Sequence, residues 1–458
     1  MMIPHNMSGQ RIGLLGLGRS GIAAACSLAA AGAVTYAFDD KTQSDIPSGC
    51  TIDNFVWQDW QDWPWDALDA VVISPGIPHL YPQPHPAAAT ATRLGIPIIS
   101  EVELALRAES DARLIAITGT NGKSTCTALL GHCLANAGAK VAVGGNIGDA
   151  ACSLDDSGPN GYIILELSSY QLETTPSLAP DFGVVLNITA DHLDRHGGMD
   201  GYVAAKKLMV TATRSGGHVI LGSDDDYVRD FASTPVAETV TIKSVISSDA
   251  PTGREASPAL NGAHNAQNAA AMATIMRILG YDETVINAGM ASFTGLPHRL
   301  QPVAQTGHIN FINDSKATNG VAAAKALMAF DNIYWIAGGM AKDDGIGAAG
   351  EALDRAGKAA GAVKKAYLIG ASADLFATQL DGKCTTEIHH DLNSATYAAF
   401  ADAQKATDTA HILLSPAAAS FDQFDSFEAR GDAFTALAKT LCTTPSATMT
   451  TSMGGSYA

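Results

Sequence analysis

Positive charge is scarce in this chain. Of its 458 residues only 28 are Lys or Arg, against 46 Asp or Glu, for a formal net charge of -18. Such a surface argues against non-specific nucleic-acid or anionic-membrane binding, although a local basic pocket can still hold a phosphate. Long apolar runs are missing as well: no uninterrupted stretch reaches the length needed to span a bilayer. The first residues, MMIPHNMSGQR, contain no apolar core of a signal peptide. The seven cysteines form no Cys-x-x-Cys pair, and an odd count without zinc spacing predicts reduced thiols instead of a disulfide framework. These absences predict a soluble cytoplasmic protein with no membrane insertion and no nucleic-acid partner. A monomer is expected.

Apolar material is plentiful, at 47% of residues, but it comes in short pieces. RIGLLG, AVVISPG, RLIAITG, YIILELS, FGVVLNI, INFINDS, IYWIAGG, KAYLIG and HILLSPA each end in Gly, Ser, Asn or Pro, and helix-forming sequence follows most of them. That alternation predicts βαβ units, parallel sheets and an α/β fold class. Domains usually run about 100–200 residues, so three are expected. Punctuation places them at 1–101, 102–301 and 302–458, with a disordered small, polar tail from about 443. In open α/β sheets ligands bind beyond the carboxyl ends of the strands, so the polar punctuation is where chemistry belongs.

The strongest punctuation is ITGTNGKST. Gly119, Thr120, Asn121, Gly122, Lys123, Ser124 and Thr125 follow a buried-type strand and precede a plausible helix. Glycines let backbone N–H groups approach phosphate oxygens, and the helix N-terminus adds partial positive charge. Lys123 can reach outer phosphates and the Ser124 hydroxyl can ligate Mg2+. The strict phosphate-loop motif would place Gly at position 117, where this chain has Ile117, so the loop is a shortened variant.

A second loop, GLGRSG, sets Gly16, Gly18 and Gly21 in GxGxxG spacing, with Asp39 closing the later run VTYAF. This fits a dinucleotide fingerprint, or equally a nucleotide-sugar diphosphate, and a turn needed only for packing is the plain alternative. In LELSSYQL, Glu166 ends an apolar strand, where a bare carboxylate is costly unless paired or metal-bound. Asp191, His192, Asp194, Arg195 and His196 cluster after another strand and could bind metal or orient a nucleotide. Lys206 and Lys207 fall on a predicted helix, where lysines are ordinarily solvated. His264, Asn265 and Asn268 in HNAQN could meet a base or ribose. Arg299, Asp314, Ser315, Lys316, Thr318 and Asn319 follow, with Arg suited to phosphate and Asp to a ribose hydroxyl pair.

Taken in order, GTNGKST, LELSSYQL, DHLDRH, YVAAKK, HNAQN, PHRLQ and NDSKATN resemble the Mur ligase family over nearly the whole chain. The resemblance implies ATP-dependent joining of an amino acid to a UDP-N-acetylmuramoyl precursor of peptidoglycan. GLGRSG, ISPGI, AGGMAKDDG and LLSPAAASFDQFDSFEARGDAF point within the family to D-glutamate as the amino acid and UDP-N-acetylmuramoyl-L-alanine as its acceptor. The implied domains are a Rossmann-like UDP-binding domain, a P-loop-type central ATPase and a Rossmann-like amino-acid-binding domain.

The resemblance also assigns roles. Lys123, His192 and Lys206 would be catalytic, and Gly119 to Thr125 with Asn268, Arg299 and Asp314 would bind ATP. Ser124 and Glu166 would hold one Mg2+; His192 and a carbamylated Lys206 would hold a second. Gly18, Arg19, Ser20, Asp39 and Asn146 would face the UDP substrate, leaving open whether Asp39 or Asp40 meets the uridine. Thr318, Lys342, Ser420 and Phe427 would form the D-glutamate pocket. The rival expectations are another Mur ligase with a different amino acid, an NAD-dependent oxidoreductase, which leaves the Gly119 loop idle, and a non-catalytic nucleotide switch.

Overall fold

The computed structural model describes residues 1–40, 54–260, 263–341, 345–354 and 361–443. Three sheets account for the predicted strands. In the first, β1 (Arg11–Leu15), β2 (Val34–Phe38), β3 (Phe55–Trp57), β4 (Ala70–Ile73) and β5 (Ile98–Ile99) lie in the order β3-β2-β1-β4-β5, all parallel. In the second, β6 (Arg113–Thr118), β7 (Val141–Gly145), β8 (Tyr162–Glu166), β9 (Phe182–Val185), β10 (His218–Gly222) and β11 (Thr241–Val245) run parallel in the order β11-β10-β9-β6-β8-β7. The third begins with an antiparallel hairpin, β12 (Gln301–Thr306) and β13 (Ile309–Asn313). It continues in parallel with β14 (Ile333–Gly338), β15 (Val363–Ile369), β16 (Thr386–Ile388) and β17 (Ala410–Leu414), in the order β12-β13-β17-β14-β15-β16.

The expected α/β class therefore stands, and its cause is visible in the burial. Strands such as Ala70–Ile73 and Ile333–Gly338 are buried along their whole length. A parallel strand covered by helices on both faces loses the alternation of a half-exposed strand and reads as a continuous apolar run. Ile115 and Ile117 join one cluster of buried side chains, and Ala116 joins another. The two clusters cover opposite faces of β6.

By contacts the chain divides into two compact units, one through Phe293 and one from Thr294 onward. The first two sheets belong to the former and the third to the latter. Among the described residues no helix is long and apolar enough to cross a membrane. Cys126, Cys133, Cys152, Cys384 and Cys442 are free thiols, as expected. Cys26 is disulfide-bonded, which corrects the expectation of reduced thiols at that position. Spacing rules do not register two thiols that only the fold brings together. Thr443 closes the helix Phe427–Thr443, and the tail expected beyond it lies outside the described residues.

Candidate active site

The phosphate loop takes its shape from what flanks it. Strand β6 is paired on both sides, Ile117 opposite Glu166 of β8 and opposite Val184 of β9. Ile117 is thus an ordinary core residue of the strand, and the loop starts two residues later. Gly119 has φ +152° and Gly122 φ +82°, conformations that L side chains rarely adopt. A Cβ on Gly122 would stand 2.6 Å from Asn268 Oδ1, so the buried Asn268 packs directly on the loop. The helix Lys123–Asn136 begins at Gly122 with no side-chain cap, leaving first-turn N–H groups to meet an anion. Asn187 braces the loop: its carbonyl accepts from Thr120 N at 2.8 Å and its Oδ1 from Asn121 N at 2.8 Å. Thr120 Oγ1 in turn lies 2.9 Å from the Tyr202 hydroxyl.

Two lysines converge on this loop. Lys123 Nζ donates to the carbonyls of Gly119 at 3.0 Å and Thr120 at 2.9 Å. Lys206, on the helix Met199–Ala212, donates to the same Gly119 carbonyl at 2.8 Å. Lys206 is buried, contrary to the default of a solvated helix lysine. Burial, and then repulsion from Lys123, pull its pKa down to about 7.

Glu166, at the end of β8, is buried and half satisfied. Its Oε1 accepts from Asn146 Nδ2 at 2.9 Å, while Oε2 has no hydrogen-bond partner among the described residues. An orphaned buried carboxylate oxygen is a group that a cation could satisfy. Ser124 lies in the first turn of the helix Lys123–Asn136. His192 stands apart. It adopts a left-handed backbone, φ 51°, with a side chain 58% exposed and Asp191 3.8 Å away. An ammonium cannot ligate a metal, so Lys206 could do so only once deprotonated or modified. Among the described residues no group of three or more His, Cys, Asp and Glu is arranged to hold a metal.

Lys123, Lys206, His192 and Asn146 nonetheless line one cavity of about 270 Å3, together with Ser168, Ser169, Tyr170, Asp191 and Tyr202. Of these, the serines and both tyrosines were not singled out from the sequence. The capping box Ser168-x-x-Gln171 was a readable sign that a helix starts there.

The first-sheet loop is built differently. Gly16 has φ +90°, and a Cβ on Gly21 would lie 1.9 Å from the Gly16 carbonyl. The helix Arg19–Ala30 follows with no side-chain cap at Gly18. Asp39 Oδ2 accepts from Leu17 N at 2.6 Å, whereas Asp40 pairs with His85 at 3.4 Å. Arg19 is exposed and Ser20 half-buried.

In the unit from Thr294 onward, Asp314 is buried. Its oxygens accept from Leu300 N at 3.1 Å and Ser415 Oγ at 2.7 Å. Burial raises its pKa to about 7. Arg299 is exposed, and its neighbours His298 and Leu300 have positive φ. Thr318 is half-buried, and Ser420 is buried with an Oγ that has no partner among the described residues. Phe427 is half-buried and lies under the Lys316 ammonium at 5.6 Å. Lys342 lies outside the described residues. Arg430, also missed, is fully buried. It donates to Ser315 Oγ, Ser315 O and Ala418 O at 2.9–3.1 Å, and so ties the ends of β13 and β17.

A profile of the Mur ligase middle domain matches residues 117–256. The UDP-N-acetylmuramoylalanine–D-glutamate ligase of Rhodospirillum rubrum is 42% identical over 474 residues, covering 97% of this chain and 98% of the relative. The protein of the same name from Agrobacterium fabrum is 39% identical, covering 95% and 96%. Among solved structures, a UDP-N-acetylmuramate–alanine ligase from Thermotoga maritima superposes with TM-score 0.56 at 17% identity, over 94% of this chain and 99% of that one. A MurF ligase from Thermotoga maritima in complex with ADP gives 0.52 at 14%, over 96% and 97%. At such identities the structural likeness speaks for the fold alone.

Proposed function

Because the chain belongs to the Mur ligase family, we propose that it adds D-glutamate to UDP-N-acetylmuramoyl-L-alanine at the expense of ATP, a step in building the peptidoglycan precursor. The observation that carries the reading is the convergence of Lys123 and Lys206 on the Gly119 carbonyl, in a unit where the Glu166 carboxylate is left half satisfied. Kinship at about 40% identity along nearly the full chain supports the choice of substrates.

The chemical problem is that a carboxylate is a poor electrophile, its leaving group being oxide. Activation solves it: the L-alanyl carboxylate attacks the γ-phosphate, giving an acyl phosphate and ADP, and the D-glutamate amine then displaces phosphate. Both steps gather negative charge, so positioned cations and N–H donors dominate the catalysis. The open N-terminus of the Lys123–Asn136 helix receives the phosphates, and Lys123 exchanges its loop carbonyls for phosphate oxygens. Lys206, with its pKa near 7, is in good part the neutral amine that carbamylation requires. Ser124 and Glu166 would hold one Mg2+, and His192 with carbamylated Lys206 a second; bound there, the ions would neutralise charge on the transferring group.

The finer assignments belong to the same reading. Asn268, Arg299 and Asp314 serve the nucleotide; Gly18, Arg19, Ser20, Asp39 and Asn146 the UDP substrate; Thr318, Lys342, Ser420 and Phe427 the D-glutamate. Domains divide near 101 and 301, and the enzyme acts as a cytoplasmic monomer. The test supplies ATP, Mg2+ and UDP-N-acetylmuramoyl-L-alanine, then measures phosphate release with D-glutamate, L-glutamate, meso-diaminopimelate and L-alanine in turn. Release with D-glutamate alone is expected; release with none sinks the reading.

A further inference from the structure

Ser169, His196 and Glu173 form a hydrogen-bonded line that the assignments above do not use. His196 Nε2 lies 2.8 Å from Ser169 Oγ, and its Nδ1 lies 3.2 Å from Glu173 Oε1. Ser169 opens and Glu173 closes one short helix, while His196 ends the turn Leu193–His196. The imidazole is fixed in place. Its side chain is 0% exposed, Tyr170 stacks on it at 5.2 Å, and Tyr202 packs against it at 5.3 Å. Ser169 lines the same cavity as Lys123 and Lys206.

The partners dictate where the protons sit. A carboxylate only accepts, so Nδ1 of His196 carries the hydrogen and donates to Glu173. In the neutral ring Nε2 is then an acceptor, and the Ser169 hydroxyl must donate to it. The spare lone pair of Ser169 Oγ is left for a donor entering the cavity. The charged neighbours are few. His79 Nε2 is 3.8 Å from Glu173 Oε2, the Arg195 guanidinium lies 4.4 Å over Tyr170, and the Lys206 ammonium lies 4.7 Å over Tyr202. Burial pushes both phenols up to about 12, so neither acts as a base at neutral pH.

We propose that Ser169 accepts the proton of the attacking amine, with His196 and Glu173 positioned to receive and hold the charge. The proposal rests on the ligase reading above. An ammonium has no lone pair, so it must lose a proton before the amide can form. An N–H bond of the amino acid breaks and its proton joins Ser169 Oγ, as the Ser169 proton passes to His196 Nε2. Glu173 stabilises the resulting imidazolium. The freed nitrogen pair forms the C–N bond to the acyl-phosphate carbonyl; the second N–H proton leaves with the phosphate as its C–O bond breaks, and the imidazolium returns its proton through Ser169 Oγ to water in the cavity. Asp191 and His192 line the same cavity and are the competing acceptors.

The experiment compares Ser169→Ala and Glu173→Gln with wild type in the full-length protein, using two amines. One is D-glutamate; the other is hydroxylamine, which is unprotonated at neutral pH and captures the acyl phosphate as a hydroxamate. With D-glutamate, kcat of Ser169→Ala should fall about 100-fold, the scale of a lost general base, and recover in part as the pH rises and the amine loses its proton unaided. Hydroxamate formation should be unchanged. Equal losses with both amines in a variant that melts like wild type would overturn the relay, as would undiminished D-glutamate turnover, which would pass the role to Asp191 or His192. Glu173→Gln keeps the side-chain shape and carries the same test should Ser169→Ala not fold. A wild-type protein that makes neither product refutes the ligase reading itself, and the relay with it.

Discussion

Two glycine loops, after β1 and after β6, share one backbone plan and carry opposite charge. Each follows a buried parallel strand, turns on glycines with positive φ at Gly16 or at Gly119 and Gly122, and opens a helix with no side-chain cap. At the first, a carboxylate has taken a backbone donor: Leu17 N is bonded to Asp39. At the second, the N–H groups of Thr120 and Asn121 are held by the neutral Asn187, and two lysine side chains crowd the Gly119 carbonyl. The plan sets where phosphates can sit; the side chains decide what is done to them. A carboxylate beside the loop suits a sugar hydroxyl on a ligand that is held intact. Two lysines suit a phosphoryl group in transfer.

The sharpest break in this comparison is Lys123→Ala. Turnover should fall by well over ~100-fold, as expected when a charge stabilising the transferring phosphoryl is lost, and steady-state phosphate release checks it. Near-normal turnover would make the two loops functionally alike. Lys206→Ala should likewise be inactive, yet regain part of its activity when a small carboxylic acid is added; activity independent of the additive would remove Lys206 from the second loop's charge.

The packing difference comes next. Gly21→Ala sets a Cβ against the Gly16 backbone carbonyl, which cannot swing away, so a denaturant titration should show a loss of about 1–3 kcal/mol. Lys206 also gives the second loop a pH signature. Its pKa in the folded chain is about 7, below the ordinary 10.5, so the unfolded chain binds more protons between those values. Stability should therefore rise with pH across that window, and urea midpoints should show the rise flattened in Lys206→Met. The smallest effect belongs to the first loop. Asp39→Asn should raise KM for the UDP substrate by no more than about tenfold and leave kcat alone.

Much of this was legible in the residues. The strands were, because a helix-covered parallel strand is a short apolar run ended by a polar turn. Both loops and Glu166 were, because glycine spacing and a carboxylate ending an apolar strand are local facts. Ile117 misled only as long as the motif was counted by letters; in the fold it pairs with Glu166 and Val184, as any central strand residue would. What stayed hidden depends on contacts between distant segments. Asn146 reaches Glu166 because β7 and β8 are neighbours, and His196 reaches Ser169 across 27 positions. Nothing in the DHLDRH stretch says that its first histidine faces solvent while its second is sealed between helices. Lys342, expected at the amino acid, lies outside the described residues.

Arg430 sets a limit on how this protein can drift. Its fork meets acceptors on Ser315 and Ala418. A lysine keeps the charge but carries its donors on a single nitrogen, so it can serve one of those loops and abandon the other. A shorter residue leaves buried carbonyls bare. Substitution at this site is thus closed in small steps. A descendant of this sequence that replaces Arg430 must rebuild two strand ends in the same stroke.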